Sequence, residues 1–270
     1  MNEKSLCYWT TTKYRQHLRT TEEDLVAREF ALTVFINGEQ YATIVCTPVD
    51  LKEMVLGFLA SEGIIRKYDD IKSIAVDDNK GFAYAETTFN VSFSDRTERW
   101  IGSCCGKSRE FYLKQDVKSA KTISTKLQLN TREIFKLMSQ FDEASEVFNL
   151  TGGVHQAGLA SNHTIKRTFI DIGRHNALDK LFGYIILNKL HARNYCILFS
   201  GRISSEVILK VSKIGSGILL AKSAPTDLAL KLAEDLQVTA VGFIRNDRLN
   251  VYTHGNRIIY NKTEEEFFTN

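Results

Sequence analysis

Residues 168–189 read Thr-Phe-Ile-Asp-Ile-Gly-Arg-His-Asn-Ala-Leu-Asp-Lys-Leu-Phe-Gly-Tyr-Ile-Ile-Leu-Asn-Lys. The apolar run at 168–172 predicts a strand, Gly173 a turn, and the apolar stripe over 178–189 a helix. The same unit recurs downstream. Residues 195–199 and 218–222 predict strands, and residues 206–214 and 227–236 predict the helices that follow them. Strands at 240–244 and 249–252 close the series. Short apolar runs alternating with amphipathic helices imply an α/β sheet covered on both faces.

Upstream the periodicity changes. Thr131 opens a helix with Glu133 in its first turn and Ile134, Leu137, Met138 and Phe141 along one face. Residues 30–45 alternate on either side of Asn37-Gly38, a hairpin signal. In Thr47-Pro48-Val49-Asp50, Thr47 fits an N-cap, Pro48 the first helical position and Asp50 the first turn. Leu51, Val55, Phe58 and Leu59 then form a stripe that Gly63 ends. Residues 71–76 and 83–93 predict further strands, while 1–24 are polar and charged, without a clear period, and part of that segment is expected to be loosely held. The segment 114–130 is polar and lacks aromatics, so the chain is divided there. A smaller N-terminal α+β domain is expected at 1–127 and an α/β domain at 128–270.

The 270 residues are 43% hydrophobic and 25% charged, ordinary for a globular protein. A net charge of +3 is too small to argue for nucleic-acid binding. The sequence has neither a membrane-length apolar run nor an apolar signal core at its start, which predicts no membrane association and a cytoplasmic location. Five scattered cysteines, Cys7, Cys46, Cys104, Cys105 and Cys196, argue against a disulfide framework.

Cys104 and Cys105 lie in Gly102-Ser103-Cys104-Cys105-Gly106-Lys107-Ser108, with Arg109 next. A nucleophilic thiol works as thiolate, which exposure and nearby cations favour. Gly106 allows close approach by another molecule. A carrier that accepts sulfur and delivers it elsewhere needs such a loop, although two small residues in a packed turn would have the same composition. Adjacent cysteines do not have zinc-ligand spacing.

Three glycine-containing loops follow. Thr151-Gly152-Gly153-Val154-His155 carries one histidine. Asp171-Ile172-Gly173-Arg174-His175 and Ser200-Gly201-Arg202 each lie between a strand and a helix. Phe243-Ile244-Arg245-Asn246-Asp247-Arg248 joins the last two strands. Loops at the carboxyl ends of strands in α/β sheets bind ligands, helix N-termini favour phosphate, and arginines add charge-assisted hydrogen bonds. An anionic ligand is the expected occupant.

With Leu32–Gly38, Leu56–Ile65, Ser103–Lys107, Thr151–His155, Asp171–Lys180, Ser200–Arg202, Phe243–Arg248 and Val251–His254 in this order, the sequence resembles the FdhD family of formate dehydrogenase accessory proteins from about Glu29 to about Arg257. The resemblance implies a sulfurtransferase with a persulfide intermediate. It would move sulfur from an IscS-like cysteine desulfurase to the molybdenum bis(molybdopterin guanine dinucleotide) cofactor, its cargo, for formate dehydrogenase. It further implies a homodimer and a three-layer, cytidine-deaminase-like C-terminal core. Phe243–Arg248 matches the family's cofactor-binding segment. Many members carry Cys-Gly-X-Cys-Gly in the sulfur loop. Here the loop reads Cys-Cys-Gly, and Cys105, followed by Gly106, is the favoured carrier with Cys104 close behind. Deaminases hold zinc with a later cysteine pair; only Cys196 stands in the second half, so no metal is expected. The rival reading is a cofactor-binding chaperone that carries no sulfur.

Overall fold

The structure is a computed structural model and describes residues 3–91, 99–101, 120, 122–161, 163–245 and 247–260. It divides into two compact units that interleave along the chain. The first comprises Met1–Glu110, Ser145–Gln156 and Phe169–Lys189. The second comprises Phe111–Ala144, Ala157–Thr168 and Leu190–Asn270. Together they give a mixed α/β protein, as the alternation of periods predicts.

The first unit begins with β1 (Leu6–Arg15) and β2 (Leu18–Ala27), paired antiparallel along their whole length. Pairing from Leu6 onward is more order than the sequence, with no clear period over 1–24, leads one to expect. The segment alternates, but most of its side chains on both faces are exposed, so it lacks the apolar period that marks a strand. The apolar core reaches the hairpin at its root, where Leu6, Leu25 and Ala27 pack with Val147 and Val154.

A five-stranded sheet follows in the order β5-β6-β3-β4-β7, built from β3 (Phe30–Ile36), β4 (Glu39–Cys46), β5 (Ile71–Asp77), β6 (Phe82–Thr87) and β7 (Arg99–Ile101). The β3–β4 turn is the expected Asn-Gly hairpin, with φ of 50° at Asn37 and 87° at Gly38. Strand β6 ends at Thr87, earlier than the expected 93, where Asn37 Oδ1 accepts the Thr87 N–H at 2.8 Å. The core face carries Leu32, Val34, Ile36, Ala42, Ile44, Ala83 and Ala85, all buried.

Helix α1 (Leu51–Ser61) starts one turn later than its apparent capping sequence. Asp50, at φ 52°, is the N-cap, and Thr47 is buried in a different role described below. Gly63 ends the helix region at φ 75°, as expected. Helix α1 crosses α4 (Arg174–Leu187) at van der Waals range, as its glycines require. A Cβ on Gly57 would lie 1.6 Å from the Asp179 carbonyl oxygen, and one on Gly183 would lie 1.9 Å from that of Glu53. Only glycine permits that approach. The short helix α3 (Glu146–Thr151) ends at Gly152, φ 64°.

The second unit holds a six-stranded sheet in the order β10-β9-β11-β12-β13-β14. Its strands are β9 (His155–Ser161), β10 (Thr164–Asp171), β11 (Cys196–Phe199), β12 (Ile218–Ala221), β13 (Thr239–Arg245) and β14 (Arg248–Val251). β9 starts, and β10 ends, in residues counted with the first unit. β11, β12 and β13 are parallel, and β9 and β14 run against them. Helix α5 (Ser205–Ile214) connects β11 to β12, and α6 (Asp227–Asp235) connects β12 to β13. Helix α2 (Thr131–Glu143) is capped by Asn130, whose side chain accepts the Arg132 N–H at 2.9 Å while Glu133 reaches back to the Asn130 N–H. Ile134, Leu137, Met138 and Phe141 then pack on Leu198, Leu220, Val241 and Ile244. Two short strands, β8 (Leu129–Asn130) and β15 (Ile258–Ile259), pair in parallel. No described helix is long and apolar enough to cross a membrane.

Candidate functional site

In the first unit the site is built around Asp171, which ends β10 fully buried. A carboxylate in an apolar run requires partners for its charge. Lys180, also fully buried one helical face further on, meets Asp171 Oδ2 at 2.7 Å. That oxygen also accepts the Thr47 N–H at 3.0 Å. Oδ1 accepts from the Gly173 N–H at 2.8 Å and from Asn176 Nδ2 at 2.9 Å. The spare donors of Lys180 go to the carbonyls of Thr47, at 3.1 Å, and Ile170, at 2.9 Å. Thr47 Oγ1 accepts the Ile172 N–H at 3.0 Å, and Asn176 Nδ2 reaches the Val45 carbonyl at 2.9 Å. The network ties the end of β4 to the strand–turn–helix segment and fixes the turn at Gly173. Ser61 of α1 donates to Asp179 of α4 at 2.5 Å and adds a second buried polar link.

This rigid base presents Arg174 and His175, both half-buried, in the first turn of α4. Arg174 Nε is buried and finds no hydrogen-bond partner among the described residues. His155, half-buried at the start of β9, feels both groups. Burial first, then the Arg174 guanidinium, holds its imidazole below the usual range; Asp171 opposes this and His175 adds to it. His155 is therefore neutral at pH 7. Gly152 and Gly153 precede it and are exposed. A Cβ on Gly153 would stand 3.1 Å from Ala27 Cβ.

In the second unit the loops after the parallel strands form one continuous rim. Ile203 N–H donates to the Ala224 carbonyl at 3.1 Å, and Thr226 N–H donates to the Ile203 carbonyl at 3.0 Å, joining the β11 and β12 loops. Phe243 N–H reaches the Ser223 carbonyl at 3.4 Å, bringing in β13. On this rim Gly201 is buried and Arg202 exposed. Ser204, the N-cap of α5, has a buried Oγ without a hydrogen-bond partner among the described residues. β13 bulges between Gly242 and Arg245. Phe243 sits there at φ 54°, an uncommon conformation for an aromatic residue. The Arg245 guanidinium lies 5.9 Å from the Phe243 ring centroid. Arg245, Asp247 and Arg248 are exposed, whereas Ile244 points into the core. Asn246 lies outside the described residues, as do Cys104 and Cys105.

Cys46 and Cys196 are fully buried, and burial pushes each thiol up to about 12. Neither is a thiolate near neutrality. Cys7 is half-buried, its Sγ 3.9 Å from the Val26 carbonyl. A cleft of about 450 Å³ between α2 and β10, lined by Gln140, Ala144 and residues 164–168, contains none of the sequence candidates.

The sequence reading selected Arg174 and His175 and overlooked Thr47, Asn176, Asp179 and Lys180 as their support. Asp171 between Ile170 and Ile172 was the available signal, since a charge within an apolar strand demands a buried partner. Ser204 carried the weaker signal of a serine preceding a helix.

The model of the FdhD/NarQ family matches residues 27–259. The chain belongs to this family. Among its FdhD/NarQ relatives, the sulfur carrier protein FdhD of Bacillus pumilus is 50% identical over 248 residues, covering 91% of this chain and 95% of its own. The sulfur carrier protein FdhD of Bacillus subtilis is 46% identical over 260 residues, covering 96% and 99%. A crystal structure from Desulfotalea psychrophila, described as that of a formate dehydrogenase accessory protein, superposes with a TM-score of 0.79 at 26% identity. It covers 94% of this chain and 99% of its own.

Proposed function

We propose that this FdhD/NarQ protein is a sulfur carrier that takes sulfur as a persulfide on Cys105, or on its neighbour Cys104. In the loading step the carrier thiolate attacks the outer sulfur of a desulfurase persulfide. The donor's S–S bond breaks, its cysteine leaves as thiolate, and the carrier holds the new S–S bond. Delivery breaks the carrier's S–S bond: the outer sulfur passes to the molybdenum bis(molybdopterin guanine dinucleotide) cofactor, a substrate here and the donor of the electron pair, the carrier cysteine leaves as thiolate, and the sulfurated cofactor serves a formate dehydrogenase. The protein works as a homodimer in the cytoplasm.

The observation that carries this reading is its near-full-length identity of about half to proteins named as sulfur carriers. The sealing of Cys46 and Cys196 in the two cores supports it by removing two other thiols from exchange. Lys107 and Arg109, close to the carrier pair in sequence, favour thiolate and persulfide anions. Arg174 in the first unit, and Arg202, Arg245 and Arg248 on the rim of the second, are proposed to hold phosphates. The buried, unpartnered Arg174 Nε and Ser204 Oγ are donors that anionic oxygens would satisfy. His155 and His175, with Gly152 and Gly153, would line the approach in the first unit, and Gly201 would line that in the second. For the second unit we infer a cytidine-deaminase-like core, a reading supported by its mixed sheet with crossover helices.

The test is the double variant Cys104→Ala/Cys105→Ala. It is expected to lose formate dehydrogenase activation while still binding the guanine dinucleotide cofactor. Undiminished activation would overturn the carrier role.

A further inference from the structure

Among the described residues, β10 is the outermost strand on its side of the six-stranded sheet. An outermost strand offers N–H and C=O groups to any chain that can pair with them, and natural proteins cover or blunt such edges. The cleft of about 450 Å³ runs between this strand and α2, within the second unit. Lys166 and Arg167 give it two positive charges, Ile165 and Ala144 give it apolar surface, and no acidic side chain lines it among the described residues. Lys166 Nζ lies 6.0 Å from the Tyr195 ring centroid and meets no carboxylate among the described residues. A groove of this chemistry fits an extended segment that is acidic and carries large apolar side chains.

The chain itself holds such a segment, and the fold delivers it to this place. β15 pairs in parallel with β8, with Ile259 beside Asn130, the N-cap of α2. Tyr260 therefore leaves the described fold at the N-terminal end of α2. β10 starts at the same end, where His163 Nδ1 lies 3.2 Å from Glu133 Oε1. Beyond Tyr260 the sequence reads Asn261-Lys262-Thr263-Glu264-Glu265-Glu266-Phe267-Phe268. Gln140 and Ala144 stand about 14 and 20 Å along α2 from Thr131, at 1.5 Å per residue. An extended chain brings Glu264 up to about 14 Å from Tyr260, and Phe268 up to about 28 Å.

We propose that the cleft between α2 and β10 is a docking site whose occupant is Glu264–Phe268 of the same chain, covering the edge of β10. Three glutamates meet the two cations, and two phenylalanines meet Ile165 and Ala144. Charge, reach and the point of exit favour this segment over an unrelated peptide. Each exposed ion pair is weak by itself, but tethering holds the segment at an effective concentration in the ~millimolar range. The inference is independent of sulfur transfer and of the cofactor.

The test uses the full chain. A carbodiimide, which joins an amine to a carboxylate only at contact distance, is expected to link Lys166 to Glu264, Glu265 or Glu266, as mapped by peptide mass spectrometry. An equal mixture of isotope-labelled and unlabelled protein is expected to give the link within one chain. In the charge reversal Glu264→Lys/Glu265→Lys/Glu266→Lys, the amides of residues 164–168 are expected to exchange with deuterium about tenfold or more faster than in the wild type. Failure to link Lys166 would overturn the proposal, as would a link found only between labelled and unlabelled chains. Exchange at 164–168 that the reversal leaves unchanged would overturn it as well.

Discussion

Lys180 and Asp171 meet at 2.7 Å with neither side chain exposed to solvent. They join a helix to the strand before it, and the Thr47 N–H that Asp171 also binds joins both to the end of β4. The pair is the base on which Arg174 and His175 stand. Removing one partner leaves a buried charge alone. Lys180→Met is expected to destabilise the chain by about 3–5 kcal/mol, read as a lower urea midpoint. A loss below about 1 kcal/mol would mean that Asp171 finds another counter-charge.

The crossing of α1 and α4 depends on two glycines. Gly57→Ala would drive a methyl group into the Asp179 carbonyl, and a loss of about 3 kcal/mol is expected. Gly152→Ala makes a fair contrast. Nothing lies within 4 Å of its added Cβ, so only the left-handed backbone at φ 64° opposes it. The expected loss is about 1 kcal/mol. Equal losses in the two variants would remove close approach as the reason for Gly57.

The elements that local chemistry determines were legible in the sequence. Asn37-Gly38 made its hairpin, and the apolar spacing of Ile134, Leu137 and Phe141 made its helix. Thr47 misled because Thr-Pro-Val-Asp has the chemistry of a cap, yet a carboxylate 124 residues away claims its N–H. The first hairpin was missed because threonines and charged residues on both faces hide a period of two. Arg174 and His175 were legible as a polar turn. Their support was not, because Lys180 reads as one more helix cation until its burial is known.

The pH dependence of His155 has a defined sign. Its imidazole is held below the range it has when unfolded, so the unfolded chain binds the proton more tightly. The stability this contributes is present above about pH 6.5, the ordinary histidine value, and lost as pH falls toward the folded value. Denaturation midpoints of wild type are expected to fall more steeply than those of His155→Asn between about pH 6.5 and 5. Parallel curves would contradict the assignment. Arg174→Ala is expected to raise the His155 titration, read by NMR, since the guanidinium is the chief charge holding it down.

Cys46 and Cys196 are expected to resist alkylation in the folded protein. With thiols pushed up to about 12 inside the cores, they should react only as fast as the structure opens, and rapidly once urea is added. Prompt native-state labelling of either would make it a competing sulfur carrier.

Sulfur is proposed to ride on the vicinal pair Cys104-Cys105. Incubating the protein with a cysteine desulfurase and cysteine, then mapping peptides by mass spectrometry under non-reducing conditions, tests it most directly. The expected result is the added mass of one sulfur atom on the peptide holding Cys104 and Cys105, lost on reduction. A peptide that stays unmodified while the desulfurase itself is loaded would contradict it and leave a protein that binds the cofactor without carrying sulfur.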